Sequence, residues 1–68
     1  MNEHTYTVAG MTCEHCVASV TEEISEIHGV TAVVVDLPTG AVTVRSETSL
    51  DDARVRAAVE EAGYRIAA

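Results

Sequence analysis

Apolar residues change their spacing repeatedly along this chain, from the alternation of a strand to the three-and-four repeat of a helix and back, which leaves few folds open. Thr5-Tyr6-Thr7-Val8-Ala9 alternates until Gly10 breaks the run, predicting a first strand. From Glu14 onward Val17, Val20, Ile24 and Ile27 recur at helical spacing, Glu22, Glu23 and Glu26 take the other face, and His28-Gly29 supplies a stop. Val30 to Val35 is dense in β-branched residues, Asp36-Leu37-Pro38-Thr39-Gly40 is turn chemistry, and Ala41-Val42-Thr43-Val44-Arg45 alternates again. Together these read as a hairpin. Thr48-Ser49 before Asp51-Asp52 has the form of a helix start with a short capping-box variant, and Val55, Ala58, Val59 and Ala62 then line one face as far as Gly63. Tyr64-Arg65-Ile66 leaves room for a short last strand.

The resulting order, βαββαβ, predicts an α+β, ferredoxin-like fold: one four-stranded antiparallel sheet, its first strand central, with both helices on one face. In that arrangement the loop after the first strand and the loop around Gly63-Tyr64 leave the sheet at the same edge. Tyr64 is therefore expected near residues 10–16, far away in sequence. A chain of 68 residues has room for one domain, residues 1–68, and no linker, repeat or low-complexity stretch divides it. Hydrophobic residues make up 47% with no Phe or Trp, so the core must be built from Val, Ile, Leu and Ala. A thin two-layer domain of this size offers little volume for a catalytic cleft, which argues against an enzyme.

The formal charge of −7, from eleven acidic residues against four arginines, makes nucleic acid and anionic membrane surfaces poor partners. Glu22, Glu23, Glu26, Glu60 and Glu61 read as a solvated face that keeps the chain soluble. A protein that docked on such a face electrostatically would have to be basic where it touches. No apolar run reaches the length of a signal-peptide core or a membrane span, so the protein is expected to stay in the cytoplasm without entering a membrane. The start at Met1, the prompt first strand and the end at Ala68 suit a complete small protein better than an excised domain of a transporter.

Both cysteines fall within Gly10-Met11-Thr12-Cys13-Glu14-His15-Cys16, where the first strand gives way to the first helix. Thiols at i and i+3 on a helix's first turn face the same side, close enough for one soft metal ion or one disulfide to join them. The positive end of the helix favours thiolates, which both metals and electrophiles require. In a reducing cytoplasm a structural disulfide closing so short a loop would add little, which leaves metal binding and thiol redox chemistry. Two sulfurs underfill the closed tetrahedral shell of a structural zinc, which would have to recruit Glu14, His15, water or a partner's side chain. They suffice for Cu(I), which thiolates select and which tolerates low coordination, leaving it open to incoming thiolates. A thioredoxin-like redox protein is longer, and its motif is usually flanked by Trp and Pro; the one proline here, Pro38, lies in the hairpin turn. His15 is expected to face solvent, with a role as optional third ligand or tuner of the thiolates as the sharper alternative.

Gly10-Met11-Thr12-Cys13-Glu14-His15-Cys16, Gly29-Val30, Val35-Asp36 and Glu60-Glu61-Ala62-Gly63-Tyr64 together resemble the heavy-metal-associated domain family over nearly the whole chain. Among its members a free-standing domain of this length is similar to the bacterial copper chaperones, which pass Cu(I) to the amino-terminal metal-binding domains of copper-exporting P-type ATPases. The resemblance implies Cys13 and Cys16 as Cu(I) ligands and Met11 as an inward-packing support of the loop. It also implies that Tyr64 is the aromatic beside the site, where eukaryotic chaperones carry a lysine; this chain has no lysine. Zinc- and cadmium-handling members often place an acidic residue directly before the first cysteine, where Thr12 stands here, so copper is the implied metal. An exposed dithiolate can also bridge ions between copies, so a copper-bridged dimer is compatible with the motif, whereas the apo form is expected to be a monomer.

Overall fold

The computed structural model describes residues 2–67. Strand β1 (Asn2–Ala9), helix α1 (Glu14–Ser25), strands β2 (Val30–Asp36) and β3 (Ala41–Ser46), helix α2 (Asp52–Glu61) and strand β4 (Arg65–Ile66) follow in the expected βαββαβ order. The sheet runs β2-β3-β1-β4 with every neighbouring pair antiparallel, so β1 is central, beside β3. Both helices pack on one face of it, the ferredoxin-like arrangement the pattern of apolar residues predicts.

Alternation along the strands divides the sheet into two faces. Val8 of β1, together with Val42, Val44 and Ser46 of β3, is buried on the helix side. Val20 and Ile24 of α1 and Val55, Ala58 and Val59 of α2 close over them. The opposite face stays open to solvent and is polar, with Thr5 bonded to Thr43 (3.2 Å) and Arg45 paired with Glu3 (2.7 Å). The buried Ser46 hydroxyl donates to the Thr48 carbonyl at 2.6 Å, so its burial leaves no polar atom unsatisfied.

Several element ends differ from the sequence expectation, each for a tertiary reason. Strand β1 begins at Asn2 rather than Thr5, because Asn2, Glu3 and His4 pair with Ser46, Arg45 and Val44 of β3. Their polar side chains carry no strand signal of their own. Helix α1 ends at Ser25, and Ile27 reaches the core from the turn that follows, its N–H donating to the Ile24 carbonyl at 3.0 Å. The cap of α2 is Asp51, whose carboxylate accepts from the Ala53 N–H at 2.9 Å, and not Thr48 or Ser49. Asp51 is the residue directly before the first helical one, where a side-chain oxygen meets the free amides of the first turn.

Candidate metal centre

Gly10 ends β1 with a φ of +94°, a conformation open to glycine at little cost. It turns the chain out of the sheet into the Met11–Thr12–Cys13 loop, and a Cβ placed there would stand 3.3 Å from Cδ1 of Tyr64. A missing side chain thus lets the Tyr64 ring lie against the loop's base. Met11 is half-buried and packs on the core, anchoring the loop from below, while Thr12 and Cys13 are exposed.

Cys13 occupies the N-cap of α1 in extended conformation (φ −154°, ψ 172°). Its carbonyl accepts from the amides of Cys16 (3.1 Å) and Val17 (3.2 Å), but its side chain caps nothing. A thiol is a weak hydrogen-bond acceptor compared with the Ser, Thr, Asp or Asn favoured at this position, so the site residue stands where helix stability would ask for another. Cys16, one turn further, is half-buried, and its Sγ lies 3.4 Å from that of Cys13. The sequence-predicted pair is thus brought together on one side of the first turn.

Cys16 is held well below the ordinary thiol range, down to about 6. Hydrogen bonding from the Thr12 backbone is the largest cause, followed by the Tyr64 side chain and then Cys13, together outweighing a small opposing effect of desolvation. The same contact raises the Tyr64 phenol, which donates more readily to a thiolate than it ionises beside one. Tyr64 reaches the site as anticipated, because α2 ends beside the loop and β4 pairs with the last residues of β1 (Val8 with Ile66, Ala9 with Arg65).

Glu14 and His15 are exposed, and among the described residues no third His, Cys, Asp or Glu joins the two sulfurs in a cluster able to hold a metal. His15 contributes only its carbonyl, which accepts from the Ser19 hydroxyl at 3.1 Å. A shallow depression lined by Ala9, Gly10, Gly63, Tyr64 and Arg65 flanks the loop. Sequence reasoning singled out Thr12 for its side chain and Gly10 as a strand breaker. The Thr12 backbone as a thiolate stabiliser and Gly10 as a seat for Tyr64 depend on loop conformation, which residue identity alone does not disclose.

Residues 5–65 match the sequence pattern of the heavy-metal-associated domain. The copper chaperone CopZ of Bacillus subtilis (strain 168) is 39% identical over 70 aligned positions, which cover 98% of this chain and 99% of that protein. Copper-transporting ATPase 1 of Rhizobium meliloti (strain 1021) is 40% identical over 57 residues, spanning 84% of this chain and 7% of that protein. Among solved structures, that of a CopZ metallochaperone superposes with a TM-score of 0.89 at 30% sequence identity, covering 96% of this chain and 98% of that one.

Proposed function

Because the chain belongs to the heavy-metal-associated domain family, we propose that it is a copper chaperone, its 68 residues acting as one domain that carries Cu(I) between Cys13 and Cys16. The observation that carries this reading is the pair of sulfurs 3.4 Å apart on an exposed helix start, with no third ligand gathered among the described residues. Two thiolates suit a soft monovalent ion and leave zinc short of its shell.

The ion is cargo, and the chain's task is to hold it and let it go. With metal–sulfur bonds of about 2.3 Å, an ion held linearly would set its two sulfurs roughly 4.6 Å apart, so linear coordination calls for the thiols, 3.4 Å apart in the apo chain, to separate by about an ångström. Rotation of the exposed Cys13 side chain would supply that movement, Cys16 being the less exposed of the two. The uncapped amides of the first turn and the helix dipole stabilise the negative charge of a bis-thiolate ion. Tyr64 covers one flank, and the other stays open to an entering thiolate.

The proposed acceptor is the amino-terminal metal-binding domain of a copper-exporting P-type ATPase. One supporting fact is the similarity of this chain to a stretch of a copper-transporting ATPase. Transfer between two like dithiol sites needs no large free-energy step, and an intermediate shared by donor and acceptor thiolates keeps exchange fast although each site binds tightly. The exchange is proposed to take place in the cytoplasm, where thiols remain reduced. The ion leaves chemically unchanged, so the role is that of a carrier and not an enzyme.

Anaerobic titration of the reduced apo protein with Cu(I) against a competing chelator, beside a parallel zinc titration, tests the reading. One Cu(I) per chain, bound far more tightly than zinc, is the expected result. A preference for zinc would move the assignment to zinc handling, and weak binding of both with turnover in a disulfide-reduction assay would move it to thiol redox chemistry.

A further inference from the structure

We propose that strand β2 is a docking edge for a second copy of this chain, the two β2 strands pairing antiparallel about a two-fold axis at Val34. The direction of each main-chain group follows from two bonds of β1. The Val8 N–H donates to the Gly40 carbonyl at the start of β3, and the Thr7 carbonyl accepts from the Ala67 N–H just past β4. Since successive residues of a strand turn their N–H and C=O to opposite sides, Tyr6 and His4 also bond towards β3, in register with Val42 and Val44. Ala41, Thr43 and Arg45 then face β2, where they meet Asp36, Val34 and Ala32. The main-chain groups of Val33 and Val35 are left pointing away from the sheet, and no side chain or loop among the described residues bonds to them.

The two edges of this sheet are unlike. Strand β4 has two residues, whereas β2 has seven, with a register shift between Val30 and Ala32 at one end and Asp36 its only charge. The stretch Ala32-Val33-Val34-Val35 carries none of the usual protections of an edge, neither charge nor proline nor bulge. At its centre Val34, on the open face, is 59% exposed, the one large hydrophobic side chain left so open among the described residues.

These features favour a second copy over an unrelated strand, because β2 is complementary to itself. With the axis at Val34, Val33 of each copy stands opposite Val35 of the other and the outward groups form four hydrogen bonds. The two Val34 side chains meet as a non-hydrogen-bonded pair, the closer-spaced kind, covering each other on the open face. Asp36 falls opposite Ala32, so no like charges oppose one another along the edge. Pairing one short strand buries far less than the roughly 1,200 Å² of a stable interface, and the copies carry −7 each, so the association is weak and strengthens with salt.

The test is a concentration series of amide NMR spectra of the reduced apo protein, at low and high salt, repeated on Val34→Lys and on the double variant Cys13→Ser/Cys16→Ser. Expected are concentration-dependent shifts largest at Val33 and Val35, enhanced by salt, unchanged by loss of both cysteines, and reduced at least tenfold in Val34→Lys without loss of folding. No concentration dependence up to millimolar protein would overturn the proposal. So would shifts centred on residues 10–16 that vanish with the cysteines, because association would then run through the thiols.

Discussion

Tyr64, remote in sequence, lies against Gly10 at the base of the cysteine loop, and Tyr64 and Cys16 alter each other's ionisation: the thiol falls to about 6 and the phenol rises. The site is thus an assembly of two loops, although both proposed ligands lie in one.

That contact predicts a pH profile. Thiolate absorbance of the reduced apo protein should show a midpoint near 6, and Tyr64→Phe should move it upward. An unfolded thiol titrates near about 8.5, so the folded chain's preference for the thiolate adds stability above that pH. This contribution fades as the pH falls through about 6. The thermal midpoint should therefore climb from pH 6 to 8.5 in the parent protein and flatten in Cys16→Ser. An unmoved absorbance midpoint in Tyr64→Phe would remove the hydrogen bond from the account.

The uncapped start of α1 predicts a conflict between stability and binding. Cys13→Ser places a favoured cap where the thiol makes no capping bond, and should stabilise the apo fold by about 0.5–1 kcal/mol in chemical denaturation. The same change should lower Cu(I) affinity by far more than the 10–100-fold that loss of a supporting contact costs a metal site. Asp51→Ala, which removes the working cap of α2, should instead cost roughly 1 kcal/mol and leave Cu(I) binding as it was.

Gly10→Ala tests the seat of Tyr64. A Cβ at φ +94° costs about 1–2 kcal/mol from backbone strain alone. It also crowds the Tyr64 ring, so the Cys16 midpoint should rise along with the loss of thermal stability. Destabilisation with an unchanged midpoint would mean that the ring adjusts without giving up its bond to the thiol.

Ile24 is fully buried between α1 and the sheet. Truncation to Ala should cost about 2–5 kcal/mol and truncation to Val about 0.5–1.5 kcal/mol. The first is a large part of what a domain this small has in total, roughly 3–10 kcal/mol. Urea denaturation of both variants should separate them clearly, with Ile24→Ala partly unfolded already at 37 °C.

Much of this was legible in the sequence because local signals agreed with the fold. Val20, Ile24, Val55 and Val59 announce the buried stripes of the helices, and the glycines after β1 and α2 fall at the joins. The cysteine spacing stands in the sequence itself, and the nearness of Tyr64 follows from the element order. Asn2, Glu3 and His4 gave no strand signal because their partners on β3, remote in sequence, hold them in the sheet. The Asp51 cap was blurred by four capping residues close together, Thr48, Ser49, Asp51 and Asp52. The low ionisation of Cys16 draws first on the Thr12 backbone, and no side-chain pattern reports where a loop's main chain will turn.

The division of the site between the two ends of the chain has a consequence for its synthesis. A ribosome delivers the cysteines early, while Tyr64 and strand β4 follow only after the other elements of the fold. Until β4 pairs with β1, the nascent thiols lack the contact that helps to hold Cys16 as a thiolate. The dithiol of an unfinished chain is therefore less ionised at neutral pH, and less quick to seize a metal or an oxidant, than that of the completed protein.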